Sequence, residues 1–219
     1  MITVHHLDNS RSQRILWLLE ELGLPYEVKA YKRGKDMLAP PELKAVHRLG
    51  KAPVITDGAL VVAETGAIID YILTTYGHGR LMPVIGTEAR FHYTYWMHHA
   101  EGTAMTPLLL KLVTSAIRNQ APWLIKPVAN RIADSIDAAL VAPNLKTNID
   151  FWENTLAKSS WFAGAEFSAA DIIMSFPLEA AASRAGAGTR PHISAWLEKI
   201  HARPAYQKAL VRGGPYAYV

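Results

Sequence analysis

None of the 219 residues is cysteine. That absence excludes a disulfide framework, zinc–thiolate and iron–sulfur sites, and any cysteine nucleophile of the protein's own. No apolar run approaches the ~18 residues that span a bilayer, so membrane insertion is not expected. The N-terminus, Met-Ile-Thr-Val-His-His, has no basic region leading into an apolar core. It is therefore not read as a signal peptide, and a reducing, cytoplasmic setting is expected. Charge is sparse: 19% of residues are ionic, against about 25% in ordinary soluble chains. The net charge is +4 and no segment forms a basic stripe, which argues against a nucleic-acid partner. What the chain has in quantity is apolar surface. Half its residues are hydrophobic, enough for a large core in one large or two small domains.

The first eighty residues alternate between strand and helix signals. Ile2 to Leu7 is short and β-branched, as strands are. Asp8-Asn9-Ser10 follows, a polar cluster of the kind that caps helices. Ile15, Leu16, Leu18, Leu19 and Leu22 recur at helical spacing, and Gly23 with Pro25 ends that helix. Tyr26 to Tyr31 reads as a second strand. Pro40-Pro41-Glu42-Leu43 opens a short helix. Ala52 to Thr56 and Ala59 to Val62 are strands joined by an Asp57-Gly58 hairpin turn. Glu64-Thr65-Gly66 then precedes an amphipathic helix over 67–72. The order is βαβ-α-ββα, which predicts a mixed four-stranded sheet with helices. After Gly77 to Pro83 strand signals nearly vanish. Helical patterns cover 87–120, 123–140, 145–158, 169–184, 191–201 and 204–211. The predicted division is an α/β domain over 1–78, a linker over 79–86 and an all-helical domain over 87–219.

The stretch from Ser10 to Gly23, Ser-Arg-Ser-Gln-Arg-Ile-Leu-Trp-Leu-Leu-Glu-Glu-Leu-Gly, resembles the first loop and helix of the cytosolic-type glutathione transferases. The resemblance extends over essentially the whole chain. Pro40-Pro41-Glu42-Leu43 and His98-His99-Ala100-Glu101-Gly102 are similar to the subgroup typified by a yeast enzyme. The resemblance implies a thioredoxin-like N-terminal domain, an all-α C-terminal domain, glutathione as cosubstrate, no prosthetic group, and a homodimer. It also implies an interface near residues 64–76 and the helices around 90–110.

Three segments carry the expected glutathione site, and each has a plainer reading. Lys51-Ala52-Pro53-Val54 is by itself edge-strand grammar. The resemblance implies a cis peptide bond at Pro53, the Val54 main chain pairing with the cysteinyl backbone of glutathione, and Lys51 reaching its glycyl carboxylate. Glu64-Thr65 is by itself a helix cap. A helix N-terminus also binds anions, so here Thr65 would take the γ-glutamyl carboxylate and Glu64 its ammonium. Asn9-Ser10-Arg11 is likewise a capping cluster. In the resemblance the Ser10 hydroxyl stabilises the glutathione thiolate, with the Asn9 amide as the other candidate donor. Arg11 adds positive charge, which lowers a thiol pKa, and Arg14 lies one turn on. Tyrosine-using branches carry tyrosine on the first strand, where this sequence has His5-His6. A neutral histidine can donate to a thiolate; a strand histidine is ordinarily structural. The missing cysteine excludes a mixed disulfide with the enzyme.

In the helical half, Trp96, Met97, Met105, Pro107, Leu108, Leu109 and Leu112 read mostly as core, with Glu101, Met105 and Leu108 facing the cleft for an apolar second substrate. His92, His98, His99 and Glu101 lack metal-ligand spacing, so no metal site is expected. Ser168 to Asp171 has the form of a capping box, Pro177 predicts a kink or break, and the six tryptophans read as core packing. The expected activity is conjugation of glutathione to hydrophobic electrophiles, a detoxifying transfer. The rival expectations are a glutathione-dependent peroxidase, isomerase or dehalogenase, or a non-catalytic ligand-binding homologue.

Overall fold

The computed structural model describes residues 1–34 and 38–218. Strand β1 (Ile2–Leu7), helix α1 (Gln13–Leu22) and strand β2 (Tyr26–Tyr31) form the opening crossover. Gly23 stops α1 in the left-handed conformation (φ 63°), where its N–H reaches the carbonyls of Leu19 and Glu20. Helix α2 (Pro41–Val46) starts on proline. Strands β3 (Val54–Asp57) and β4 (Leu60–Ala63) and helix α3 (Thr65–Tyr76) complete this half. The sheet order is β2-β1-β3-β4. β1 runs parallel to β2 and antiparallel to β3, and β3 is antiparallel to β4. β1 is therefore internal, and its C-terminal end delivers residues 8–12 to one end of the sheet.

The second half is helical: α4 (Glu88–His99), α5 (Met105–Gln120), α6 (Lys126–Ile136), α7 (Ala142–Lys158), α8 (Ala169–Ala185), α9 (Pro191–His201) and α10 (Pro204–Gly213). The single helix expected over 87–120 is split by a π-helical turn at Ala100–Ala104, and a second such turn occupies Asp137–Val141. The break expected between 140 and 145 is absent, because each π-helical turn adds one residue to the winding without breaking the chain's direction.

Both halves share one hydrophobic core. Ile15 to Leu19 of α1 and Ile68, Ile69 and Ile72 of α3 pack with Ile172, Ile173 and Tyr206 from the helical half. Trp17 meets Tyr206 edge-on at 5.1 Å and Phe167 at 5.7 Å. Five tryptophans are buried; Trp123 is 84% exposed. It stands in the turn between α5 and α6, where no helix face can carry it inward.

The capping box at α8 is present, with Asp171 accepting from the Ser168 and Phe162 amides at 3.0 Å each and from the Trp196 indole at 3.3 Å. Burial pushes the Asp171 carboxyl up to about 6. Pro177 does not break α8, which runs unbroken to Ala185. Proline has no N–H for the carbonyl four residues back, and here that carbonyl, Ile173 O, accepts instead from Arg14 Nη1 at 2.5 Å.

Candidate active site

Two cavities flank the junction of the halves. The first, about 320 Å³, is lined by Asn9, Ser10, Arg11, Arg33 and Ala52 on one side. Met105, Leu108, Leu109, Leu112, Phe176, Arg184 and Tyr218 line the other. The second, about 540 Å³, includes Glu64, Thr65, Asp70, Arg90, Met97 and Glu101. Arg11, in the wall of the first, pairs with Glu101, in the wall of the second, at 2.7 Å. The residues expected to act together thus lie around one polar partition.

That partition is a compact network. Arg14 is buried at 1% exposure. Besides Ile173 it donates to Glu101 Oε1 at 2.5 Å and to Thr65 Oγ1 at 3.2 Å. Burial alone would raise the Glu101 carboxyl; the charges of Arg14 and Arg11 outweigh it and hold the group below the usual carboxylate range. Burial pulls the Arg11 guanidinium down, with Glu101 opposing. Glu101 sits in the π-helical turn between α4 and α5. The extra residue of that turn re-aims a side chain from the helix toward the sheet domain.

Thr65 is the first residue of α3, not its cap. The cap position belongs to Glu64, whose backbone is held at φ 72°, ψ 128° and whose side chain caps nothing. A positive φ at a residue with a Cβ is strained, and such strain collects at binding sites. The front of α3 therefore opens into the second cavity with the Thr65 hydroxyl beside it, an arrangement suited to an anion.

The 8–12 segment is built similarly. Asn9 takes a left-handed conformation (φ 48°). Its side-chain carbonyl accepts from the Ala217 amide at 2.8 Å. Ser10 is buried at 5% exposure, and its Oγ accepts from Ser12 N at 3.2 Å and lies 2.7 Å from Ser12 Oγ. Ser12 Oγ in turn lies 2.9 Å from His6 Nδ1. Sequence reasoning named Ser10 and missed Ser12 and its contact with His6, because positions in a strand and in the loop after it give no sign of which side chains meet.

The Ala52–Pro53 bond is cis. Val54 is fully buried, and its strand partners are His5 on one flank and Ala63 on the other. Val54 is thus an internal residue of the sheet. Ala52, before the cis bond and ahead of the strand, is the residue that lines the cavity. Lys51 is exposed and lines neither cavity. Met105 and Leu108 are buried in the wall of the first cavity, while Leu109 and Leu112, read as core, are 55% and 45% exposed beside them.

The segment after α10 was not anticipated as part of the site. Tyr218 lines the first cavity, accepts from Arg184 at 2.5 Å and packs on Phe176 at 5.3 Å. Tyr216 donates to the buried Glu179 at 2.6 Å. The tyrosines of Pro-Tyr-Ala-Tyr at 215–218 were the available signal. Among the described residues, no group of three His, Asp or Glu is placed to hold a metal ion, and no helix is long and apolar enough to cross a membrane.

A family profile described as "Glutathione S-transferase, N-terminal domain" matches residues 1–74, and one described as "Glutathione S-transferase, C-terminal domain" matches 106–204. The chain is 34% identical to glutathione S-transferase 1 of Saccharomyces cerevisiae over 94% of this chain and 92% of that one. A crystal structure of a glutathione S-transferase from Actinobacillus pleuropneumoniae superposes with a TM-score of 0.79 at 34% identity, covering 100% of this chain and 95% of the other. A sphingomonad glutathione S-transferase crystallised with glutathione shares the fold at a TM-score of 0.75 and 22% identity, over 97% and 98% of the two chains. The sheet order, the cis-proline, the paired cavities and these likenesses agree: the chain belongs to the glutathione S-transferase family.

Proposed function

We propose that the protein transfers glutathione to apolar electrophiles, with Ser10 stabilising the thiolate. The observation that carries this is the position of Ser10. Its hydroxyl lies at the start of α1, next to Arg11, in the wall of a cavity whose opposite side is Met105, Leu108, Leu109, Leu112 and Phe176. A thiol held there meets a helix N-terminus and a cation, both of which favour its ionised form. The nucleophile belongs to the cosubstrate, and the apolar wall holds the second substrate beside it.

In this reading the γ-glutamyl group occupies the second cavity. Its carboxylate meets the front of α3 and Thr65, and its ammonium meets Glu64. The main chain of Ala52, rather than Val54, takes the cysteinyl part. Lys51 reaches the glycyl end only by swinging from the surface. Asn9 is the weaker donor candidate, since its side-chain carbonyl already holds Ala217. Residues 1–78 form the glutathione domain, 79–86 the linker and 87–219 the helical domain. The active form is a cytoplasmic homodimer meeting through residues 64–76 and the helices around 90–110, and its role is detoxification.

Titration calorimetry with glutathione and with S-methylglutathione tests the reading, together with the ultraviolet absorbance of the thiolate. Saturable binding of both, with thiolate absorbance only from the free thiol, is the expected result. Failure to bind either ligand overturns it in favour of a carrier for other hydrophobic molecules.

A further inference from the structure

His6 is a buried titratable group that the mechanism above leaves idle. It is 3% exposed on β1, and Ser12 is fully buried beside it. The Ser12 hydroxyl has one proton and two lone pairs. The Leu7 amide donates to it at 3.3 Å, which takes one lone pair. Its proton can also reach the Leu7 carbonyl, but only at 3.3 Å; its two closest contacts, Ser10 Oγ at 2.7 Å and His6 Nδ1 at 2.9 Å, divide between donor and acceptor. The row therefore has two polarities. In one, Ser10 donates to Ser12 and Ser12 to His6 Nδ1. In the other, Nδ1–H donates to Ser12, and Ser12 donates to Ser10.

The polarity decides what Ser10 can do. Its Oγ already accepts from the Ser12 amide at 3.2 Å. In the first polarity its proton points to Ser12 and a lone pair is left for the cavity. Only in the second is its proton free to bond a thiolate. The second polarity needs a proton on Nδ1. Resting on the glutathione reading, we infer that His6 is a positioning residue that receives the thiol proton through Ser10 and Ser12, and that this transfer turns Ser10 into a donor toward the sulfur.

The step balances. The S–H bond breaks and its proton bonds to Ser10 Oγ. Ser10 gives its own proton to Ser12 Oγ, and Ser12 gives its own to His6 Nδ1. A neutral thiol and a neutral imidazole become a thiolate and an imidazolium, and every hydrogen bond in the row is reversed. No proton enters or leaves.

The surroundings suit this role. We assign the resting ring proton to Nε2, which leaves Nδ1 free to accept from the Ser12 hydroxyl. Burial is the largest effect and lowers the ring's pKa, with the Gly213 carbonyl and the Asp8 carboxylate opposing it, so the ring rests neutral and able to accept a proton. Of the charged and polar groups on neighbouring elements, Lys29 and Tyr31 of β2 act on His5, Arg14 of α1 is committed to Glu101, and Arg212 of α10 lies over the Tyr26 ring at 3.8 Å. Ionisation of the sulfur supplies the anion that stabilises an imidazolium.

The test compares wild type with Ser12→Ala and His6→Asn. Thiolate absorbance of bound glutathione is followed against pH, and calorimetry in buffers of different ionisation enthalpy counts protons released. In wild type near neutrality, thiolate should form with clearly fewer than one proton released per thiolate. The His6 imidazole resonances should shift toward the charged form with glutathione but not with S-methylglutathione. In Ser12→Ala each thiolate should cost one released proton, and the bound thiol pKa should rise by ~1 unit or more. His6→Asn should also release one proton per thiolate. Unchanged S-methylglutathione affinity and circular dichroism certify the variants' folding. If wild type binds S-methylglutathione yet releases one proton per thiolate with no imidazole shift, the relay is refuted and the glutathione reading stands. If wild type binds neither ligand, both fall.

Discussion

Replacing Arg14 with methionine should destabilise the protein by about 2–4 kcal/mol. Methionine fills similar space, so the loss is polar rather than steric. The Ile173 carbonyl, orphaned by Pro177, would lose the donor that now sits at 2.5 Å. A buried unpaired carbonyl costs about 1–3 kcal/mol. Glu101 keeps its ion pair with Arg11 at 2.7 Å and is 28% exposed, so losing its second cation adds only about 1 kcal/mol. At about 2–4 °C per kcal/mol for a chain of this size, the melting temperature should fall by roughly 5–15 °C. The mechanism makes a sharper claim. Pro177→Ala restores an amide that can donate to Ile173 within α8. In the Arg14→Met background it should recover about 1–2 kcal/mol, while in wild type, where the carbonyl is already served, it should not. Thermal melts of the four proteins in a double-mutant cycle give the coupling. Additivity within about 0.5 kcal/mol would refute the account of Arg14 as substitute donor for the proline.

Ser10→Ala should lower turnover by ~10²-fold or more, as loss of an oxyanion-type donor does, while S-methylglutathione affinity holds; retained turnover in steady-state assays rejects Ser10. His99 is buried, accepts from the Trp152 indole at 3.0 Å, and burial lowers its pKa to about 4. The unfolded chain then binds the extra proton first, so stability should fall by about 3 kcal/mol as pH drops from 6.5 toward 4. Melts across that range should show a flatter profile for His99→Gln. At Gly213 an added Cβ would stand 2.3 Å from Gln13 Oε1, 3.0 Å from Leu16 Cδ1 and 3.3 Å from His6 Cε1. Gly213→Ala should therefore cost about 1–3 kcal/mol in urea unfolding, whereas Gly66→Ala, with nothing near its Cβ, should be far milder.

The sequence by itself determined the division into an α/β half and a helical half, the element order, and the capping box at α8. These rest on local periodicity and on residues that cap or turn within a few positions, so they are written along the chain. Segments that line the two cavities stood out in the sequence too, because Asn9-Ser10-Arg11 and Glu64-Thr65 each bring their own helix N-terminus. The tertiary structure decided what those segments do together. Only folding brings Arg14 to a carbonyl 159 positions away, or Glu101 to Arg11 across the halves. In the sequence Glu101-Gly102 only interrupts the apolar pattern; that the interruption is a π-helical turn, with one extra residue in the winding, is decided by the fold. Val54 and Ala52 differ by two positions, and the hydrogen-bond partners of β3 assign one to the sheet and the other to the cavity. The row from His6 through Ser12 to Ser10 depends on how tightly one loop folds over one strand end, a distance of a few ångströms that no spacing of residues encodes.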